Sequence, residues 1–162
     1  LETPRVTVVC STFNSKETLR CALRSVLNQD LLDFEVRVMG DGCTDGSEKV
    51  IAELNDPRLH WFNFPKNTGT QSQPNNEGMR RARGQYIAFI GHDDLWMPWH
   101  LSRSVAHLEE ARADIVHDLV ANVTPNGIEH GYGPPHPISN YARVYFPTMS
   151  WLHRRTLPDE IG

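Results

Sequence analysis

Ile87-Ala88-Phe89-Ile90-Gly91-His92-Asp93-Asp94 is the stretch on which the fold turns. Its apolar run shows no polar alternation and reads as a strand buried on both faces, the pattern of a parallel sheet covered by helices. The run ends directly in two adjacent carboxylates, with no Lys or Arg within five residues on either side. In open α/β sheets, ligands collect beyond the carboxyl ends of the strands. Paired acids at such a place suit a hard divalent cation, which takes one or two carboxylates together with phosphate oxygens. The stretch points to a metal–nucleotide site at a sheet edge.

Outward from it, strands and helices alternate. Val6–Cys10 and Phe34–Met39 read as further buried strands, and Leu59–Phe64 as a more exposed one. After the first strand, Asn14 and Glu17 stand in the capping-box positions of a helix. Leu19, Ala22, Leu23, Val26 and Leu27 supply its buried face at i, i+3, i+4, i+7 and i+8. Asp45 and Glu48 open a second helix, and Asp45 is read as its capping residue. A third is expected over 75–83, with Gly84 as its C′ residue. Pro98 suits the first turn of a fourth, running to about Ala111. Ile115–Val120 reads as a fifth strand and Met149–His153 as another. Between them, from Thr124 to Pro147, Pro and Gly leave only a loop or short irregular strands. The alternation over the first 120 residues predicts a parallel α/β sheet with right-handed crossovers.

With 162 residues the chain has a single-domain length, and its formal net charge of −4 argues against a nucleic-acid partner. Cys10, Cys21 and Cys43 make an odd count without CxxC spacing, which fits a reducing cytoplasm better than a disulfide framework or structural zinc. The histidines form no zinc spacing, and Cys43 has no neighbouring base to activate it. No apolar run reaches the roughly 20 residues needed to span a bilayer, and no signal peptide is visible. Leu1 is not an initiator Met, and the chain stops without a terminating element, so it is read as a piece of something longer. No GxGxxG follows the first strand, which disfavours a dinucleotide-binding redox protein.

Parallel strands bring three segments to one edge: Ser11-Thr12-Phe13-Asn14, Gly40-Asp41-Gly42-Cys43-Thr44-Asp45 and His92-Asp93-Asp94. With Ser25-Val26-Leu27-Asn28-Gln29, Asn67-Thr68-Gly69, Asn76-Glu77-Gly78, Ala82-Arg83-Gly84-Gln85-Tyr86-Ile87 and Pro98, they resemble, in order and spacing, a family 2 glycosyltransferase with the GT-A fold. The likeness covers about the first 110 residues, and Ser150–Arg155 resembles the strand before the family's acceptor region.

The resemblance implies a three-layer α/β/α sandwich with a mainly parallel sheet, formed by one domain over 1–162. Residues 1–120 would bind the nucleotide, and 121–162 would begin the acceptor side of a domain truncated at its C-terminus. It implies an inverting transfer from a nucleotide-diphospho-sugar, UDP-linked above GDP- or dTDP-linked, to the hydroxyl of a saccharide or lipid-linked acceptor. The protein would then be cytoplasmic, and peripheral at a membrane only through that acceptor. A non-catalytic nucleotide-sugar-binding module is the alternative. By the same resemblance Phe13 stacks on the base, with a core aromatic as the other reading. Asp41 accepts a base N–H, Asp93 takes a ribose hydroxyl, and Asp94 ligates Mn²⁺ or Mg²⁺. Ser11, Asn14 and Asn76 join the donor-binding set. Asn75 stands where the family commonly has Arg, which removes one diphosphate contact. The family's catalytic base is an acid downstream of the strand that Ser150–Arg155 resembles, so it is expected beyond Gly162. Asp159 and Glu160 come too early for that role.

Overall fold

In a computed structural model, residues 3–132 and 148–161 are described. Strand β1 (Val6–Thr12) is buried at every position. It is flanked by β2 (Phe34–Gly40) and β4 (Tyr86–Gly91), both parallel to it, with β3 (Leu59–Asn63) outside β2. Two short strands complete this sheet, β5 (Ile115–His117) and β8 (Trp151–Arg154), in the order β3-β2-β1-β4-β8-β5. β8 runs antiparallel to both of its neighbours. β6 (Val120–Thr124) and β7 (Gly127–Tyr132) form a separate two-stranded hairpin.

Neighbouring residues of β1 enter different cores, which explains the unbroken apolar run. Val6, Val8 and Cys10 pack with α1 (Lys16–Leu27), α2 (Ser47–Leu54) and α4 (His100–Ala111) through Leu19, Leu23, Val50, Leu101 and Leu108. Val9 lies on the opposite face with Met39, Ile87 and Phe89, against Met79 of α3 (Ser72–Arg80). The result is the expected α/β/α sandwich with a mainly parallel sheet. A last short helix, α5 (Leu157–Ile161), follows β8. Among the described residues, no helix is long and apolar enough to cross a membrane.

Several local expectations are corrected by tertiary contacts. Asn14 does not cap α1. It sits at φ 46° outside the helix, and the Lys16 N–H donates instead to Asp45 Oδ2 at 2.9 Å, a cap supplied from the β2–α2 loop. The third helix spans Ser72–Arg80 rather than 75–83, and Gly84 is not its C′ residue. There the backbone is drawn into the sheet: Arg83 N–H donates to Glu35 Oε1 and Gly84 N–H to Thr7 Oγ1, both at 2.8 Å. Pro98 precedes α4 instead of opening it, because the buried Gln29 holds this entry. Its amide donates to Met97 O at 2.8 Å, and its carbonyl accepts the Leu101 N–H at 2.9 Å. The strand expected over 115–120 divides at His117, and Val120 joins the hairpin. A 3-10 turn over Thr148–Ser150 precedes β8, which begins at Trp151 rather than Met149. Most of the Pro/Gly-rich 124–147 segment lies outside the described residues.

Glu35, buried in β2, joins three parts of this sheet face. Thr7 Oγ1 (2.8 Å), Arg37 (2.9 Å) and both the backbone and side chain of Arg83 donate to it. Burial pushes its carboxyl up, but the Arg83 bonds, the Thr7 hydroxyl and the Arg37 charge outweigh that and hold it below the ordinary carboxylate value. A depressed folded value means that the stabilisation is complete above the unfolded value of about 4.3. It is lost as pH falls through the folded value. Glu35→Gln is expected to cost about 1.5–3 kcal/mol at pH 7, the range for hydrogen bonds to a charged group. Denaturant titrations from pH 7 to 3 should show the wild-type advantage shrinking below about pH 4.3.

Candidate functional site

The chain runs from β1 to β2 to β3 on one side of β1 and then crosses to β4 on the other side. That reversal is a topological switch point, where the loops on either side diverge and leave a crevice beyond the carboxyl ends of the strands. A cleft of about 550 Å³ lies there. Ser11, Thr12 and Phe13 line it from the end of β1, Asp41 from the end of β2, and Gly91, His92, Asp93 and Asp94 from the end of β4. Asn67, Gly69, Thr70 and Gln71 from the β3–α3 loop, Pro74 of α3, and Met149 complete the wall.

Asp41 is 5 % exposed. Its carboxylate takes the Thr68 N–H on Oδ1 at 3.0 Å and the Asn67 side-chain amide on Oδ2 at 3.1 Å. Its own N–H donates to Thr12 O at 2.9 Å. Gly42 follows at φ +75°, and a Cβ there would collide with the backbone of Lys66 and Asn67, so only glycine lets the two loops meet. Asn63 exchanges two bonds with the backbone of Cys43, at 2.9 and 3.0 Å. The Cys43 thiol is buried against Thr12 O at 3.4 Å, as suits a packing residue.

The first loop is pinned from the second. Thr44 N–H donates to Asn14 Oδ1 at 2.8 Å, while Asp45 accepts from Lys16 N–H and from both the N–H and hydroxyl of Ser47. Burial raises the Asp45 carboxyl, but these donors prevail and hold it below its ordinary value. Asp45 is structural, as read from the sequence, but Gly46 holds the N-cap position of α2. Asp45 reaches the Ser47 N–H from one residue before that glycine and also serves the start of α1. Between these anchors Phe13 is 43 % exposed at the cleft, which removes the core-aromatic reading.

The acid pair crowds over the end of β4. Asp94 Oδ2 accepts the Gly91 N–H at 2.9 Å. A Cβ on Gly91 would stand 2.5 Å from Asp94 Oδ2 and 2.9 Å from Asp93 Oδ1. Burial, then the neighbouring Asp93 charge, raises the Asp94 carboxyl above its ordinary value, against the pull of the Gly91 N–H and of His92. Beneath them the fully buried Cys10 thiol is pushed up to about 12 by burial and by both acids. Two residues after the pair, the buried Trp96 stacks on His100 at 4.2 Å, and its backbone N–H donates to Ser25 Oγ at 3.2 Å.

Among the described residues, no group of three or more His, Cys, Asp or Glu is arranged to hold a metal by itself. None forms an ion pair with Asp93 or Asp94 either. Two uncompensated acids, one with its charged form disfavoured, match the donor set of a hard cation that takes its remaining ligands from a bound phosphate.

Ser11, Phe13, Asp41, Asp93 and Asp94 thus meet in one cleft. Asn14 contributes to loop pinning instead of the wall. Asn76 is exposed on α3 and does not line the cleft. Sequence reasoning gave no role to Asn67, Gln71 or Met149. Asn67 lies within a motif already noticed, and Gln71 betrays itself only in three dimensions by donating to Ser11 Oγ at 3.2 Å. Met149 reaches the cleft only because β8 inserts beside β4.

The sandwich and its switch-point cleft define an open α/β domain with a ligand-sized crevice at the carboxyl ends of its strands, and comparison with known proteins gives its family. Residues 7–155 match glycosyl transferase family 2, and the chain belongs to that family. It is 32% identical over 124 residues to the succinoglycan biosynthesis protein ExoO of Rhizobium meliloti, covering 76% of this chain and 35% of that protein. The fold is shared with S. aureus TarS 1-349 in complex with UDP-GlcNAc, at a TM-score of 0.82 and 22% identity over 96% of this chain and 47% of that one. It is shared too with the mannosyltransferase PcManGT of Pyrobaculum calidifontis in complex with GDP-Man and Mn²⁺, at a TM-score of 0.75 and 22% identity, covering 99% and 47%. The chain therefore spans about a third of the length of ExoO and about half of these solved chains.

Because the Asp94 carboxyl is raised in the fold, its ionised form opposes folding at neutral pH, and the opposition fades as pH falls through the raised value. Asp94→Asn keeps an acceptor for the Gly91 N–H and removes the repulsion. Without metal or nucleotide, its Tm at pH 7 is expected to exceed that of the wild type by about 2–4 °C. Thermal melts repeated toward pH 4 should show the difference closing.

Proposed function

We propose that the chain is the donor-binding part of an inverting glycosyltransferase that uses a nucleotide-diphospho-sugar, with UDP as the preferred nucleotide. The observation that carries this reading is the meeting, in one switch-point cleft, of an exposed aromatic ring, a buried carboxylate and an acid pair. The relatives bound to UDP-GlcNAc and to GDP-Man and Mn²⁺ support the class of ligand.

In this reading Phe13 stacks on the base. Asp41 accepts the base N–H in a crevice where water competes poorly. Asp93, more exposed than Asp94, accepts a ribose hydroxyl, and Ser11 adds a hydroxyl on the same wall. Asp94 would hold Mn²⁺ or Mg²⁺, and the cation would supply positive charge to offset the negative charge that develops on the diphosphate. The acceptor hydroxyl attacks the anomeric carbon from the face opposite the diphosphate. One carbon–oxygen bond forms as the other breaks, which inverts the configuration. The acceptor's proton goes to a carboxylate that the family resemblance puts after Gly162. We propose the division of the chain into a donor part over 1–120 and the start of an acceptor side over 121–162 on the same basis.

Calorimetric titration of UDP, GDP and dTDP, with and without Mn²⁺, into this chain and its Asp94→Ala variant tests the donor site. The expected result is binding of UDP that requires Mn²⁺ and disappears in the variant. Binding that ignores both the metal and Asp94, or no binding at all, would defeat the reading. Phe13→Ala is expected to weaken UDP about tenfold, within the range measured for aromatic–base stacking. An unchanged affinity would remove Phe13 from the site.

A further inference from the structure

We propose that Asn67 is a positioning residue for Asp41, aiming its carboxylate at a single imide N–H of the base, as presented by uracil. The proposal rests on the donor site described above and adds to it the residue that gives Asp41 its direction.

A carboxylate on a short side chain turns freely about its last bond unless both oxygens are engaged. In Asp41 both are. Thr68 N–H holds Oδ1 at 3.0 Å and Asn67 Nδ2 holds Oδ2 at 3.1 Å, so adjacent residues of one loop grip the two ends. Asn67 Nδ2 also lies 3.3 Å from the Asp41 carbonyl oxygen. The amide is oriented in its turn, because its Oδ1 accepts the Gly69 N–H at 2.8 Å. Gly42 allows the two loops to approach this closely.

The geometry calls for an amide at this position. Asn67 carries donor and acceptor on separate atoms and so bonds Asp41 and Gly69 at once. The single, shorter hydroxyl of serine can keep the Gly69 turn without reaching Asp41 Oδ2. Aspartate would set two carboxylates against each other, and alanine would leave Oδ2 free to turn. An ionised carboxylate has about four lone-pair sites. Two of those on Asp41 are taken by the loop, which leaves few directions in which a base can donate. Asn67 itself lies in an exposed loop, so replacing it leaves both apolar cores intact.

The test uses UDP and N3-methyl-UDP, an analogue that cannot donate from N3, titrated with Mn²⁺ into the wild type, Asn67→Ala and Asn67→Ser. The wild type is expected to prefer UDP. In both variants UDP should weaken about tenfold, as for loss of a well-aimed bond to a charged acceptor, while N3-methyl-UDP changes by less than about twofold. The preference then collapses toward unity. Equal weakening of both ligands, or an unchanged preference, overturns the proposal, because a purely structural residue does not distinguish them. If Asn67→Ala melts below the assay temperature, the ratio in Asn67→Ser decides by the same criterion. A wild type that binds neither ligand overturns the donor-site reading, and this proposal with it. A wild type that binds both equally spares a donor site but removes the imide contact on which Asn67 acts.

Discussion

The structure depends on the complete burial of β1. Every residue from Val6 to Thr12 is covered on both faces, and parallel strands occupy both edges. A strand so enclosed needs two helical layers, and its neighbours need crossovers long enough to return to the same end of the sheet. Once β2 and β3 have been laid on one side, β4 takes the other, and the chain opens a crevice where the direction of winding reverses. The cleft is thus a consequence of how the hydrophobic strands are covered. Its chemistry comes from the few residues that follow each strand.

Those residues are held by a repeated device, a polar side chain from one loop satisfying the backbone of the next. Asp45 caps α1 from the β2–α2 loop, Asn14 returns a bond to Thr44, Asn63 grips Cys43, and Gln29 holds the entry to α4. Buried backbone groups need partners, and these partners come from across the sheet edge, so the loops are set relative to one another as well as to their own strands. Asp93 and Asp94 stand apart from this pattern. They crowd over Gly91, Asp93 adds to the cost of ionising Asp94, and both lie in the cleft without an ion-paired cationic partner among the described residues. A site that is electrostatically unfavourable when empty is suited to a cation and a diphosphate.

Family membership and fold agree on what kind of domain this is, while the residues around the cleft carry the chemistry. Within one family the same sandwich can serve different nucleotides and acceptors. Under the function proposed above, the base would be met by Phe13, Asp41 and the loop that bears Asn67, and the cation by the end of β4. The chain spans about a third of the length of ExoO and about half of the solved TarS chain.

The four parallel strands, the helices between them and the meeting of Phe13, Asp41 and the acid pair were legible in the sequence. Continuous apolar runs require two-sided burial, and that forces parallel order and a common carboxyl edge. Only the tertiary structure decided where the helices begin and end. Asp45 outcompetes Asn14 for the start of α1, and Glu35 with Thr7 draws Arg83 and Gly84 away from α3. It also decided that a short antiparallel β8 separates β4 from β5 and brings Met149 to the cleft, and that Asn67 and Gln71 line the wall while Asn14 and Asn76 do not. These outcomes depend on which polar group is nearest in space, and periodicity along one segment carries no information about a competitor thirty or seventy residues away.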